Sequence, residues 1–259
     1  FKLITLLEYI RENPDTWQDF HYTCTGTYTN GDYVVNCHDG VAHGELDIYG
    51  ILGMSCNGAF DTIAQTLNST KWQKLAEDFG YNQSDRSQVD FAYKKSHFDI
   101  ASDDSVWSRM QLAIGQGTTT VTPLLNLMMY AAIANDGVMM TPYLVDHYLD
   151  ANGNVVEQTK PKALRSVCTK AEAELMDEFL TYVITNGTAA AGGSQYARVS
   201  GKTGSAQYDS TKNYHAWFCG YGTNDVSEIA VCVMIEKGGA GGIVAAPVAG
   251  QIFDYYFSR

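Results

Sequence analysis

Apolar spacing changes character once along this chain, near residue 195, and that change restricts the fold more than any other feature. Before it, apolar residues recur at helical intervals. Leu3, Leu6, Leu7 and Ile10 make one stripe, ended by Pro14; Leu124, Leu127, Met128, Ala131 and Ala134 make another, opened by Pro123 and stopped by Asn135-Asp136-Gly137. Further helices are expected at 46–54, 57–67, 69–79 (closed by Gly80) and 169–185, where Thr169 and Glu172 form a capping box. After it, Arg198 to Gln207, Tyr214 to Tyr221 and Ile229 to Glu236 are strand-like runs separated by turn residues. Ala246 to Phe257 is expected to be a closing helix begun by Pro247. Helices first and a strand meander last predict an α+β domain with a mostly antiparallel sheet. Two hairpins are expected earlier, turning at Asn30-Gly31-Asp32 and at Asn152-Gly153-Asn154, while the polar stretch 81–120 reads as surface loops.

With 259 residues and 45% apolar content, the chain suits one large domain, or one with a subdomain, and can bury a full core. A net charge of −12 argues against nucleic-acid binding, which needs a basic face to displace phosphate counterions. No apolar run approaches the ~18 residues of a membrane span, and no signal peptide is present. The chain opens without methionine, inside a helical stripe, so it is expected to be a fragment with any anchor upstream.

Three short motifs carry chemistry. Lys202-Thr203-Gly204-Ser205 lies in an expected strand, and Ser55-Cys56-Asn57 lies between two helical patterns. Phe1-Lys2 heads a helix, and a Ser-x-x-Lys pattern there would place a serine two residues before Phe1. Each has a plain structural alternative: Lys202 as an edge-strand lysine, Ser55 and Asn57 as helix terminator and cap, Lys2 as a solvated helix residue.

In this order the motifs resemble those of the penicillin-binding proteins, serine acyltransferases with Ser-x-x-Lys, Ser-x-Asn and Lys-Thr-Gly elements. The resemblance extends through Ala113-Ile114-Gly115-Gln116-Gly117, Val121-Thr122-Pro123-Leu124, Ala131-Ala132-Ile133-Ala134-Asn135, Asn186-Gly187-Thr188-Ala189, His215-Ala216-Trp217-Phe218 and the tail from Ile229 to Pro247. It covers essentially the whole chain and is similar to class B, monofunctional members. It implies a transpeptidase fold over 1–259: an antiparallel sheet flanked by helices with an all-α subdomain, the first strands preceding the chain. Residues 3–190 would be mainly helical and 195–259 would hold the strands and closing helix.

The resemblance also implies roles. Lys2 would act as base on the serine, which requires a lowered pKa through burial or nearby positive charge, and Lys202 would supply that charge. Ser55 would pass a proton to the leaving amine and Asn57 would orient Lys2 and the substrate amide. Thr203 and Ser205 would hold the terminal carboxylate of a D-alanyl-D-alanine stem, with Gly204 leaving room for its backbone. The Ser205 N–H, with that of the serine, would form the oxyanion hole. Gln116 and Gly117 are read equally as cleft border or structural loop, and Trp217 as core.

The implied activity is a peptidoglycan D,D-transpeptidase that β-lactams acylate, needing no cofactor for catalysis. A D,D-carboxypeptidase or β-lactamase, or a non-catalytic scaffold or sensor, remain alternatives on the same fold. Partners would be stem peptides, β-lactams and, through domains outside this chain, the cell-wall synthesis machinery. The implied location is the outer face of a bacterial membrane, anchored by an N-terminal segment outside the chain.

Cys24, Cys37, His43 and Cys56 follow C-x12-C-x5-H-x12-C, a complete Cys₃His set for a structural zinc in the loop-rich segment. Some elongation-type relatives resemble this with a zinc site in the same segment. A Cys24–Cys37 disulfide and free buried thiols are the alternatives, and His38 could replace His43. Cys168, Cys219 and Cys232 read as buried small residues, the last two facing each other across the turn at Asn224-Asp225.

Overall fold

The computed structural model describes residues 1–83, 89, 91–209, 211 and 213–259. At its centre is helix α1 (Lys2–Glu12), in which every residue from Leu3 to Ile10 is buried. A helix apolar on nearly every side must be wrapped by others. Here α3 (Asn57–Ala64), α4 (Ser69–Asp78) and α7 (Lys170–Asn186) do so. Thr5, one of two polar residues in this buried run, is satisfied by donating to the Ala113 carbonyl at 2.9 Å.

The strands after residue 195 form the main antiparallel sheet. β9 (Arg198–Gln207), β10 (Tyr214–Thr223) and β11 (Glu228–Ile235) lie in the order β11–β10–β9, so β9, which carries Lys202 to Ser205, is an edge strand. One face packs on α8 (Gly241–Phe257), where Phe218 meets Phe253 edge-on at 6.2 Å between ring centroids. The opposite face meets α6 (Pro123–Ala134) and α7. Thr169 and Glu172 complete the expected capping box at the start of α7.

Between α1 and the sheet, the chain builds smaller pieces. β1 (Tyr22–Cys24) pairs with β4 (Gly44–Leu46), and β2 (Thr27–Asn30) pairs with β3 (Tyr33–Asn36) across the expected Asn-Gly-Asp turn. Helix α2 (Ile48–Gly53) follows, capped by Asp47. Strands β5 (Val138–Met140) and β8 (Ala163–Ser166) pair around the second expected hairpin, β6 (His147–Leu149) with β7 (Val155–Gln158).

Two expectations are corrected. The stretch 81–120, part of which lies outside the described residues, holds helix α5 (Val106–Ala113) as well as loops. Its Arg109 guanidinium donates to the carbonyls of Ala64 and Leu67, each at 2.6 Å, and so ties the α3–α4 junction together. The closing helix begins at Gly241, with Pro247 inside it rather than at its start. A Cβ on Gly241 would lie 2.3 Å from the Gly204 carbonyl oxygen. Glycine here permits contact between helix and edge strand rather than ending the helix.

Candidate active site

Ser55 and Asn57 stand at the junction of two helices. Helix α2 ends in a Schellman motif: the Cys56 N–H donates to the Ile51 carbonyl and the Ser55 N–H to that of Leu52, each at 3.0 Å. That motif places Ser55 in the left-handed region, at φ 54°, where glycine is usual. Helix α3 then starts at Asn57. The turn leaves the Ser55 carbonyl and hydroxyl and the Asn57 amide converging on one point.

Lys2 occupies that point. Its Nζ donates to the Ser55 carbonyl at 2.8 Å, to Ser55 Oγ at 3.0 Å and to Asn57 Oδ1 at 2.7 Å. These use all three donors of an ammonium. Asn57 Nδ2 donates to the Asn36 carbonyl at 2.8 Å, which sets the amide so that its oxygen faces the lysine. The Lys2 ammonium also lies 5.3 Å from the centroid of the Phe60 ring. Burial lowers its pKa to about 8, while electrostatic interaction with Cys56, Asp61 and Cys37 opposes the fall.

Lys202 is buried, and its Nζ donates to the Thr203 carbonyl at 2.9 Å. Burial first, and repulsion from Lys2 second, hold it well below the ordinary lysine range. The two lysines therefore share one electrostatic environment, although they come from a helix and a strand 200 residues apart in sequence. For Lys2 the main cause is burial rather than the charge of Lys202. Thr203 Oγ1 lies 2.9 Å from Thr188 Oγ1, and Ser205 Oγ accepts from the Gly241 N–H at 3.1 Å. As an acceptor in that bond, the Ser205 hydroxyl keeps its own proton to donate. A Cβ on Gly204 would meet Trp217 Cβ at 3.4 Å, an ordinary contact, so packing within the chain does not demand glycine there. Trp217 is partly buried against the core. Gln116 and Gly117 follow α5 in a turn, with the Gln116 N–H donating to the Gln111 carbonyl at 2.9 Å.

The thiol cluster adjoins this site. Pairing of Cys24 with Gly44 in the β1–β4 register brings His43 beside Cys24, while Cys37 follows β3 and Cys56 caps α3. The four ligand atoms lie within 4.8 Å of one another. Separations are 3.6 Å for Cys24–Cys37, 3.8 Å for Cys37–Cys56 and 3.4 Å from Cys24 Sγ to His43 Nδ1. Tetrahedral zinc with ordinary bond lengths requires about 3.8 Å between sulfurs and about 3.6 Å from sulfur to nitrogen. The residues fit that geometry. All six cysteines are thiols, so the Cys24–Cys37 disulfide is not formed. His38 lies outside the set, its ring against Tyr214. Hydrogen bonds from the Cys56 thiol and from the Gly58 and Asn57 N–H groups at the start of α3 hold Cys37 below the thiol range.

Sequence reasoning missed Asp61. It is fully buried one turn beyond Asn57, and neither carboxylate oxygen has a hydrogen-bond partner among the described residues. Burial pushes its pKa up to about 8, against the pull of Lys2. The signal available was an acidic residue within the mostly apolar run from Ala59 to Ala64.

A family model for the penicillin-binding protein transpeptidase domain matches residues 1–254. Among curated proteins, the chain is similar to the peptidoglycan D,D-transpeptidase MrdA of Acinetobacter baumannii, 27% identical over 235 residues, covering 83% of this chain and 35% of that protein. It is also similar to stage V sporulation protein D of Bacillus subtilis, 26% identical, covering 97% of this chain and 40% of that one. The chain thus spans between about a third and two-fifths of the length of these relatives. The D,D-transpeptidase domain of a peptidoglycan glycosyltransferase from Eggerthella lenta superposes with a TM-score of 0.84 at 28% identity, covering 98% of this chain and 63% of that one. Penicillin-binding protein A of Mycobacterium tuberculosis matches with a TM-score of 0.85, covering 100% and 60%, and at 20% identity shows the shared fold.

Proposed function

The chain belongs to the penicillin-binding protein transpeptidase family, and from that premise we propose that it carries the acyl-transfer site of a peptidoglycan D,D-transpeptidase. The nucleophile in this reading is a serine two positions before Phe1, one helical turn ahead of Lys2 and on the same face. Lys2 takes the hydroxyl proton as the serine oxygen bonds to the penultimate D-alanine carbonyl carbon. The C–N bond to terminal D-alanine breaks, and Ser55 hands a proton to the leaving amine. An amine of a neighbouring stem peptide then displaces the serine. Asn57 orients Lys2 and the substrate amide, and Lys202 adds positive charge. Thr203 and Ser205 grip the terminal carboxylate, and Gly204 admits the substrate backbone. The Ser205 N–H contributes to the oxyanion hole, where losing one donor costs about 10²–10³ in rate.

The observation that carries this reading is the placement of a half-buried lysine with a lowered pKa within 3.0 Å of both Ser55 Oγ and Asn57 Oδ1. β-Lactams would acylate the same serine; penicillin-binding protein A of M. tuberculosis forms such acyl-enzymes with ceftriaxone and imipenem. Incubating the full-length protein with fluorescent penicillin tests it. A covalent adduct that persists supports the transpeptidase, rapid release marks a hydrolase, and absence of an adduct leaves a non-catalytic scaffold.

We propose further that Cys24, Cys37, His43 and Cys56 hold a structural zinc, which would crosslink this loop-rich segment through four bonds. The spacing of the four ligand atoms supports this. Cys56 lies between Ser55 and Asn57, and Asn36, whose carbonyl receives the Asn57 amide, precedes Cys37. The cluster would thereby brace both residues that contact Lys2. Action outside the cytoplasmic membrane, anchored by a segment outside this chain and assembled with cell-wall enzymes through other domains, completes the proposal. Among the described residues no helix is long and apolar enough to cross a membrane.

A further inference from the structure

Outside the thiol cluster, two more cysteines meet. Cys219 on β10 is directly opposite Cys232 on β11 in the antiparallel register. Directly opposed residues in such a ladder have Cα atoms about 4.5 or 5.5 Å apart, depending on their place in the hydrogen-bond pattern. Both values fall within the span of about 4.4–6.8 Å that a disulfide tolerates. Their sulfurs are 3.0 Å apart. That is closer than the roughly 3.5–4.0 Å at which even nonbonded carbon atoms prefer to sit. The sulfurs of the Cys₃His cluster stand 3.6 and 3.8 Å apart around a common centre shared with a histidine, the spacing of metal ligands. Among the described residues no such group of metal ligands includes this pair.

We infer that Cys219 and Cys232 are a redox-active pair that closes reversibly to a cross-strand disulfide. The reagent class is a small or protein disulfide. Cys232 is the entry point, because it is half-buried whereas Cys219 is buried. Its thiolate attacks one sulfur of the incoming disulfide, forming a mixed disulfide and releasing one thiol. The Cys219 sulfur then attacks the Cys232 sulfur, loses its proton and expels the second thiol. Two protein thiols and one disulfide thus become one protein disulfide and two thiols, with no other electron donor or acceptor. Burial holds Cys219 well above the ordinary thiol range, so it resolves the mixed disulfide only as a close neighbour and not as an independent nucleophile.

The position gives the bond a consequence. Cys219 is in register with Lys202 on its other side, so the bridge lies in the same cross-sheet row as that lysine. Closing it ties β11 to the middle strand on which the edge strand β9 rests. This inference is independent of the acyl-transfer proposal, and its readout does not use penicillin.

The test exposes the full-length protein to oxidised glutathione, blocks remaining thiols with an alkylating agent, and maps the peptides by mass spectrometry without reduction. The expected result is a Cys219–Cys232 cross-linked peptide that disappears on reduction. A Tm rise of roughly 5–10 °C should accompany it, as for a typical engineered or native bridge. The Cys232→Ser variant should lose both the cross-link and the rise. Alkyl label on both cysteines after oxidation would overturn the inference, and so would either of them found bonded to Cys24, Cys37, Cys56 or Cys168. Peptide mapping of the wild-type protein decides the matter even if the variant folds poorly.

Discussion

Ser55 is in a backbone conformation that costs a non-glycine residue on the order of 1 kcal/mol. The Schellman turn would be satisfied equally well by glycine, the residue usual at that position. A serine retained there gains nothing for the turn, but its hydroxyl reaches Lys2 at 3.0 Å. Ser55→Gly should therefore raise the stability of the fold by roughly 0.5–1 kcal/mol. It should also slow penicillin acylation, because the proposed proton path to the leaving group is cut. Chemical denaturation and adduct kinetics on the same variant check both halves. Loss of stability together with full activity would contradict the assignment. Lys2 makes a second prediction at this scale. A base must be neutral, and the Lys2 amine becomes neutral as pH rises through about 8. The acylation rate should climb across that range and level off above it. Lys2→Arg, which stays charged, should lose about 10²–10⁴-fold.

At the scale of elements, the junction of α2 and α3 is where local structure and chemistry meet. The Cys56 side chain belongs to the thiol cluster while its neighbours on both sides contact Lys2. With zinc bound, removing it by chelation should lower Tm and reduce acylation together, because the loop segment and the Ser55–Asn57 turn lose the same support. Cys37→Ser should do the same, with elemental analysis reporting less zinc; zinc content unaffected by the substitution would remove the metal reading. These elements were legible in the sequence where local signals agreed. The α1 stripe, the Thr169 capping box and the strand meander all followed from spacing and turn residues. Helix α5 was hidden because its apolar residues, Val106, Trp107, Met110, Leu112 and Ala113, sit in a polar surrounding, and the Arg109 bonds that anchor it are tertiary. The start of α8 was misread for a related reason. Gly241 and Gly242 resemble a break until the Gly204 and Thr188 carbonyls against them are known. The convergence on Lys2 was legible as motif order, whereas Asp61 was not, since burial without a partner is a property of three dimensions.

Over the whole molecule, buried acids set how stability responds to pH. Glu8 is 2% exposed and Asp61 fully buried. Burial raises Glu8 to about 7, with the charge of Glu12 adding to it, and raises Asp61 to about 8. In an unfolded chain both would titrate near 4. Between about pH 4 and pH 8, then, the folded protein holds protons that the unfolded chain has released, and stability falls as pH rises. The contribution is fully present below the unfolded values and is lost through the folded ones. The net charge of −12 acts in the same sense, because each further ionisation adds to self-repulsion. Lys2 and Lys202, both lowered, act in the opposite sense, since there it is the unfolded chain that holds the extra proton. Comparison with a variant isolates one acid from this mixture. Asp61→Asn keeps the shape and removes the titration, so its Tm relative to wild type should increase steadily from pH 5.5 to pH 8.5. Thermal melts at several pH values measure that difference, and a difference that stays constant with pH would mean that Asp61 is ionised in the folded protein throughout.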